Sequence, residues 1–187
     1  MNKEELEEKF SVYTDQISLM RGAGAYWALL HYIIIFPDIC GALESTNGLA
    51  NSSRYKKWAS DYVASPFLLD DEWYEIRCKI LHQGITLSSR RYVSYKFVSS
   101  PDLNGNIIHR CLFNDVLILD VRNMTDEILQ GLDKWFEDIV NNINPTKTRN
   151  VENNINNLSS VQDLENALGG AITGLNMFIS GSTSSNL

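Results

Sequence analysis

From Tyr26 to Phe36 the chain runs through eleven residues that are apolar except for His31. A helix apolar on nearly every side cannot lie at a surface, so other elements must cover it. The run is too short to span a bilayer and reads as a core helix. Its apolar character continues towards Leu43, with Pro37 inside it. A proline removes one backbone donor and clashes with the preceding turn, which predicts a kink or a split there. The rest of the chain therefore has to supply amphipathic partners.

Those partners are legible. Leu6, Phe10, Tyr13, Ile17 and Met20 recur every three or four residues and predict a helix over 2–20 with one apolar stripe. Arg21–Gly24 breaks it. Ser45–Gly48 is a turn cluster. Residues 52–63 predict a helix that buries Tyr55, Trp58, Ala59 and Tyr62, ended by Ser65-Pro66. Asp70 and Asp71 offer an N-cap for a fourth helix over 72–82, with Trp73, Ile76, Ile80 and Leu81 inward and Gly84 as its C-terminal cap. Thr125 is placed to cap a last helix with Ile128, Leu132, Trp135, Phe136 and Ile139 on one face.

Between these helices the period changes to two. Tyr92–Val98, Ile107–Phe113 and Val116–Val121 are β-leaning runs, separated by turn signals at Asp102–Gly105 and Asn114-Asp115. The fold class is mainly α, a helical bundle with a small antiparallel β insertion at about 91–121. In 141–157, eight of seventeen residues are asparagine. That composition predicts a domain at 1–143, followed by an Asn-rich linker and apolar tail at 144–187. Within the tail, Leu164, Leu168, Ile172, Leu175 and Phe178 carry the apolar character.

Hydrophobic residues at 44% and charged residues at 21% exclude disorder for the chain as a whole. The net charge of −7 gives no global attraction for nucleic acid. It is uneven, however: residues 50–122 hold ten basic against eight acidic side chains, so an anion-binding surface belongs there. Cys40, Cys78 and Cys111 have no pairing or metal-binding spacing, which suits a reducing, cytoplasmic setting. The acidic start MNKEELEEKF lacks the apolar region of a secretory signal. No membrane association, metal or cofactor is expected.

The chemistry-bearing feature is Arg77-Cys78-Lys79-Ile80-Leu81-His82, an R-x4-H pattern at the end of the fourth helix. Five helical residues turn by about 140°, so an ideal helix would not aim both side chains at one point. A loosened last turn before Gly84, or a second copy across a twofold axis, would bring them together. The motif, within Ile76–Gly84 and after three helices, resembles the HEPN superfamily, and in particular a bacterial group with a β hairpin after the motif helix. The resemblance covers roughly residues 1–143. It implies a homodimer whose two motifs form one metal-independent endoribonuclease site, with Arg77 and His82 catalytic. It also implies contexts such as toxin–antitoxin pairs or antiviral defence, with an antitoxin or defence protein as partner. Many members carry Asn, Asp or His directly after the arginine, where this chain has Cys78. That difference leaves an alternative open: a noncatalytic HEPN-like dimer that binds RNA or a partner protein.

The residue types suit ribonuclease chemistry. A histidine titrates near neutrality and can move the 2′-hydroxyl or leaving-group proton. An arginine is a permanent forked cation for the phosphorane oxygens. Asp38 and Glu44, near the kink of the second helix, are candidate acids to orient Arg77, because a buried charge needs a partner. Arg54, Lys56, Lys57, Lys79, Arg90 and Arg91 are candidate contacts for RNA phosphates. His31 reads as a core histidine and His109 as a surface one.

Overall fold

The computed structural model describes residues 1–88, 90–99 and 108–158. Along the chain come α1 (Lys3–Gly22), α2 (Tyr26–Ile33), α3 (Phe36–Leu43), α4 (Ser52–Tyr62) and α5 (Asp70–Gln83). They are followed by β1 (Ser94–Val98), β2 (Cys111–Phe113), β3 (Val116–Asp120), α6 (Val121–Val140) and α7 (Pro145–Asn154). The protein is mainly helical with a small sheet.

The apolar run is central and it is split. α2 ends at Ile33, and Pro37 sits in the first turn of α3, where its missing donor costs nothing. The break frees the Ile34 carbonyl, which accepts from the buried Tyr55 hydroxyl at 3.1 Å. The same hydroxyl lies 3.3 Å from the Trp73 carbonyl. One phenol thus ties the break in the apolar run to α4 and α5. Residues Tyr26–Leu43 have the length and composition to cross a membrane, but half of that stretch is buried against the rest of the protein and the break divides it.

Around this split run pack the amphipathic helices. Leu6, Phe10 and Ile17 of α1 are buried, and so are all five expected core residues of α6. Trp58, Trp73 and Trp135 are fully buried. α6 starts at Val121 rather than at the expected Thr125 cap. Asp120 accepts from the Arg122 and Asn123 amides, while Thr125 is buried and donates to the Val121 carbonyl at 2.7 Å. His31 is half-buried rather than in the core. Its Nδ1 lies 2.8 Å from the Trp27 carbonyl, and its ring meets the exposed Trp27 edge-on.

The sheet has strand order β1-β3-β2. β2 and β3 form the expected antiparallel hairpin, turning through Asn114 and Asp115 at φ 46° and 60°. Two such residues suit the tight turn whose twist matches the strands. β1 departs from the antiparallel expectation: it pairs with β3 in parallel, Ser94 opposite Val116. Between these two parallel strands the chain runs back through β2, which is antiparallel to β3 on its other side. The turn signal at Asp102–Gly105 lies outside the described residues.

The chain divides into two compact units, Met1–Ile155 and Asn156–Leu187. The first runs past the expected boundary at 143 because the Asn-rich segment is helical. Asn144 caps α7, Pro145 occupies its first turn, and Val151 and Ile155 are buried. The asparagines act as hydrogen-bonding groups here. Asn150 donates to the Glu44 carbonyl, and Asn154 donates to the Leu43 and Ser45 carbonyls. These are the carbonyls left open at the end of α3. The second unit, which holds the apolar tail residues Leu164–Phe178, lies almost wholly outside the described residues.

Candidate functional site

α5 opens two residues before the expected start, so that Asp70, Asp71 and Glu72 lie in its first turn and Leu69, rather than Asp70 or Asp71, is the N-cap. It closes at Gly84 in the left-handed region at φ 63°. Only a residue without Cβ takes that geometry freely, so the cap sets where the motif helix ends. Arg77 lies mid-helix, and His82 is exposed in the last turn. The Arg77 stem is long enough to cross the angular gap, and its Nη1 stands 3.0 Å from His82 Nε2. One protomer therefore brings both motif residues together without help from a second copy.

Asp38, in the first turn of α3, accepts from Arg77 Nε at 2.8 Å. The pair is mostly enclosed, at 23% exposure for Arg77 and 17% for Asp38. Burial opposes the Arg77 charge, but the hydrogen bond and charge of Asp38 outweigh it and hold the guanidinium above its ordinary value. Arg77 is thus a fixed cation, anchored at Nε and engaged at Nη1. Cys78 is half-buried beside it and interacts with Tyr74 one turn earlier. The bond to Cys78, followed by partial burial, raises the Tyr74 phenol. Tyr74 escaped the sequence reading, although its i,i+4 spacing from Cys78 places both on one helix face.

Glu44, the other expected orienting acid, serves elsewhere. It accepts from Trp135 Nε1 at 2.6 Å and pairs with Lys147 at 2.8 Å. It lies at the far end of α3 from Asp38, and a helix of this length separates its ends by about 10 Å.

The six candidate phosphate contacts all have internal partners. Lys56 and Arg90 converge on Asp71 at 2.7 and 3.0 Å, and Lys56 leads in holding its carboxyl below the usual range. Arg91 grips the buried Glu72 with two nitrogens at 2.7 Å. Lys57 pairs with Asp61 at 2.7 Å. Lys79 pairs with the buried Glu75 at 3.4 Å and donates to the Leu87 carbonyl. Arg54 donates to Asn47 Oδ1 at 3.0 Å and to the Leu49 carbonyl. Lys56 and Lys57 border an open cleft of about 440 Å³ with Ser52, Ser53 and Ser60. The basic middle of the chain is in large part self-neutralised.

His109 is structural. Its Nε2 lies 3.0 Å from Glu127, and its Nδ1 accepts from the Asp120 amide at 3.1 Å. Among the described residues, no group of three or more His, Cys, Asp or Glu side chains converges to hold a metal ion. Comparison with protein-family models, curated proteins and solved structures finds no match to this chain.

Proposed function

We propose that the chain is a metal-independent endoribonuclease of HEPN type that acts as a homodimer. The observation that carries this reading is the contact of Arg77 with His82, with Asp38 holding the guanidinium from behind. A fixed cation beside an accessible imidazole is the pairing that 2′-hydroxyl attack on a phosphodiester needs. His82 takes the 2′-hydroxyl proton as the new P–O bond forms. Arg77 neutralises the charge that collects on the phosphorane oxygens. The 5′-oxygen leaves and receives a proton, from the second motif of the dimer or from water. Products carry a 2′,3′-cyclic phosphate and a 5′-hydroxyl. General acid–base help is worth about 10²–10⁴-fold, and one well-placed donor about 10²–10³-fold.

The test is incubation of purified protein with total RNA, with and without EDTA, beside His82→Ala and Arg77→Ala. Cleavage that survives EDTA and is lost in both variants supports the reading. Dimerisation is read separately by light scattering at micromolar concentration. The cytoplasmic setting, and a role in a toxin–antitoxin pair or antiviral defence with a cognate protein partner, belong to the same proposal.

A second reading has its own observations. Cys78 follows Arg77, and the surrounding cations are paired internally. Both favour a noncatalytic dimer that binds RNA or a partner protein. Binding without cleavage in the same assay would select it.

A further inference from the structure

Resting on the reading of Arg77 and His82 as a phosphodiester site, the contact between them says more than that they are neighbours. A guanidinium carries only donors. At 3.0 Å from Arg77 Nη1, His82 Nε2 can therefore take part only as an acceptor. An imidazole with an accepting Nε2 is neutral and carries its proton on Nδ1. Free neutral histidine favours the opposite arrangement, with the proton on Nε2. The side chain is exposed, and the Arg77 contact is its one hydrogen bond among those resolved for the described residues. The orienting group is thus Arg77, itself held by Asp38.

The geometry points to Arg77 as the positioning residue that selects the His82 tautomer and covers its reactive nitrogen until a phosphate arrives. In the resting chain Nε2 presents a lone pair and no proton, so His82 is set as the base of the first step rather than as the acid. The lone pair is also occupied. A phosphate is an anionic acceptor that can pair with both Nη1 and Nη2 of a guanidinium through two parallel bonds, whereas the neutral imidazole offers a single lone pair and no charge. Phosphate therefore displaces His82 from Nη1, while Asp38 keeps Nε and so keeps the cation in place. One event seats the phosphodiester on its cation and bares the nitrogen that takes the 2′-hydroxyl proton. A base that is covered without substrate is released by the substrate itself.

The tautomer is readable without turnover. Full-length protein with ¹⁵N-labelled histidine gives long-range ¹H–¹⁵N spectra at about pH 8, above the ordinary histidine range. His82 is assigned by the signal lost in His82→Asn. The expected wild-type pattern is the Nδ1–H form. In a true substrate the 2′-hydroxyl replaces Arg77 as the donor to Nε2 and keeps the Nδ1–H form. Inorganic phosphate, and separately a 2′-O-methyl oligonucleotide that cannot be cut, lack that hydroxyl, so each should move His82 towards the Nε2–H form. Arg77→Met, which keeps the apolar stem, should show the Nε2–H pattern without any ligand. A wild-type Nε2–H pattern overturns the inference, and so does a tautomer that neither phosphate probe changes. The wild-type spectra decide even if Arg77→Met does not fold. Failure to cleave RNA would remove the endoribonuclease reading while leaving the tautomer result intact, so the two fail separately.

Discussion

Removing the Asp38 carboxylate isolates one ion pair whose worth follows from its burial. Exposed pairs contribute about 0–1 kcal/mol, whereas deleting one partner of a fully buried pair costs about 3–5 kcal/mol. With Arg77 at 23% and Asp38 at 17% exposure, this pair lies between those limits. Asp38→Ala should therefore cost about 2 kcal/mol, mainly because a desolvated guanidinium loses its counter-charge. For a domain of this size that lowers Tm by roughly 4–8 °C. The clean assay is a double-mutant cycle with Arg77→Met, read from urea midpoints. Once Arg77 is neutral, losing Asp38 should cost far less, giving a coupling of about 1–2 kcal/mol. Cleavage by Asp38→Ala should fall about 10²-fold, as expected for a cation displaced by about 1 Å. A coupling below about 0.5 kcal/mol, the scatter of independent sites, would refute the claim that Asp38 anchors Arg77.

Gly131→Ala should destabilise the fold by about 1–3 kcal/mol, the range for overpacking. The added Cβ would lie 2.7 Å from Val63 Cγ1 and 3.2 Å from the Tyr62 carbonyl, and an unchanged thermal melt would contradict the close approach of α4 and α6. A chain ending at residue 143 loses buried Val151 and Ile155, so its stability should drop by about 3–6 kcal/mol at about 1.5–3 kcal/mol per buried aliphatic side chain. A chain ending after Ile155 should keep its cooperative melt, and equal melts for the two truncations would count against α7 as part of the first unit. Burial, first among the causes, raises the Tyr55, Tyr62 and Tyr95 phenols above their ordinary value in the folded chain. Their unfolded counterparts ionise near pH 10, so this stabilisation is full below about pH 10 and is lost as pH rises further. A urea midpoint that stays level from about pH 8 to 11 would show that the three phenols are not protected.

Periodicity and capping chemistry carried much of this architecture. The stripe of α6, the split at Pro37, the Asn114-Asp115 turn and the Gly84 cap are local properties, set by side-chain spacing and by which backbone angles a residue can take. The motif Arg77–His82 was legible for the same reason. Its closeness was not, because helical rotation alone places the two residues on different faces. The helix stays regular through His82, and the length of the arginine stem closes the gap to 3.0 Å.

Tertiary structure decided which acid serves which base. Asp38 and Glu44 look alike in the sequence, on one short helix, yet one meets Arg77 and the other meets Trp135 and Lys147. Which face of α3 meets α5 and which meets α6 and α7 depends on how whole helices pack, and that is not a local property. The same holds for the parallel pairing of β1, which depends on where a connection returns. It holds also for the Asn-rich segment: asparagine disfavours an isolated helix, but carbonyls left open at the end of α3 give Asn150 and Asn154 partners. A residue's composition says which bonds it can make, and packing chooses among them.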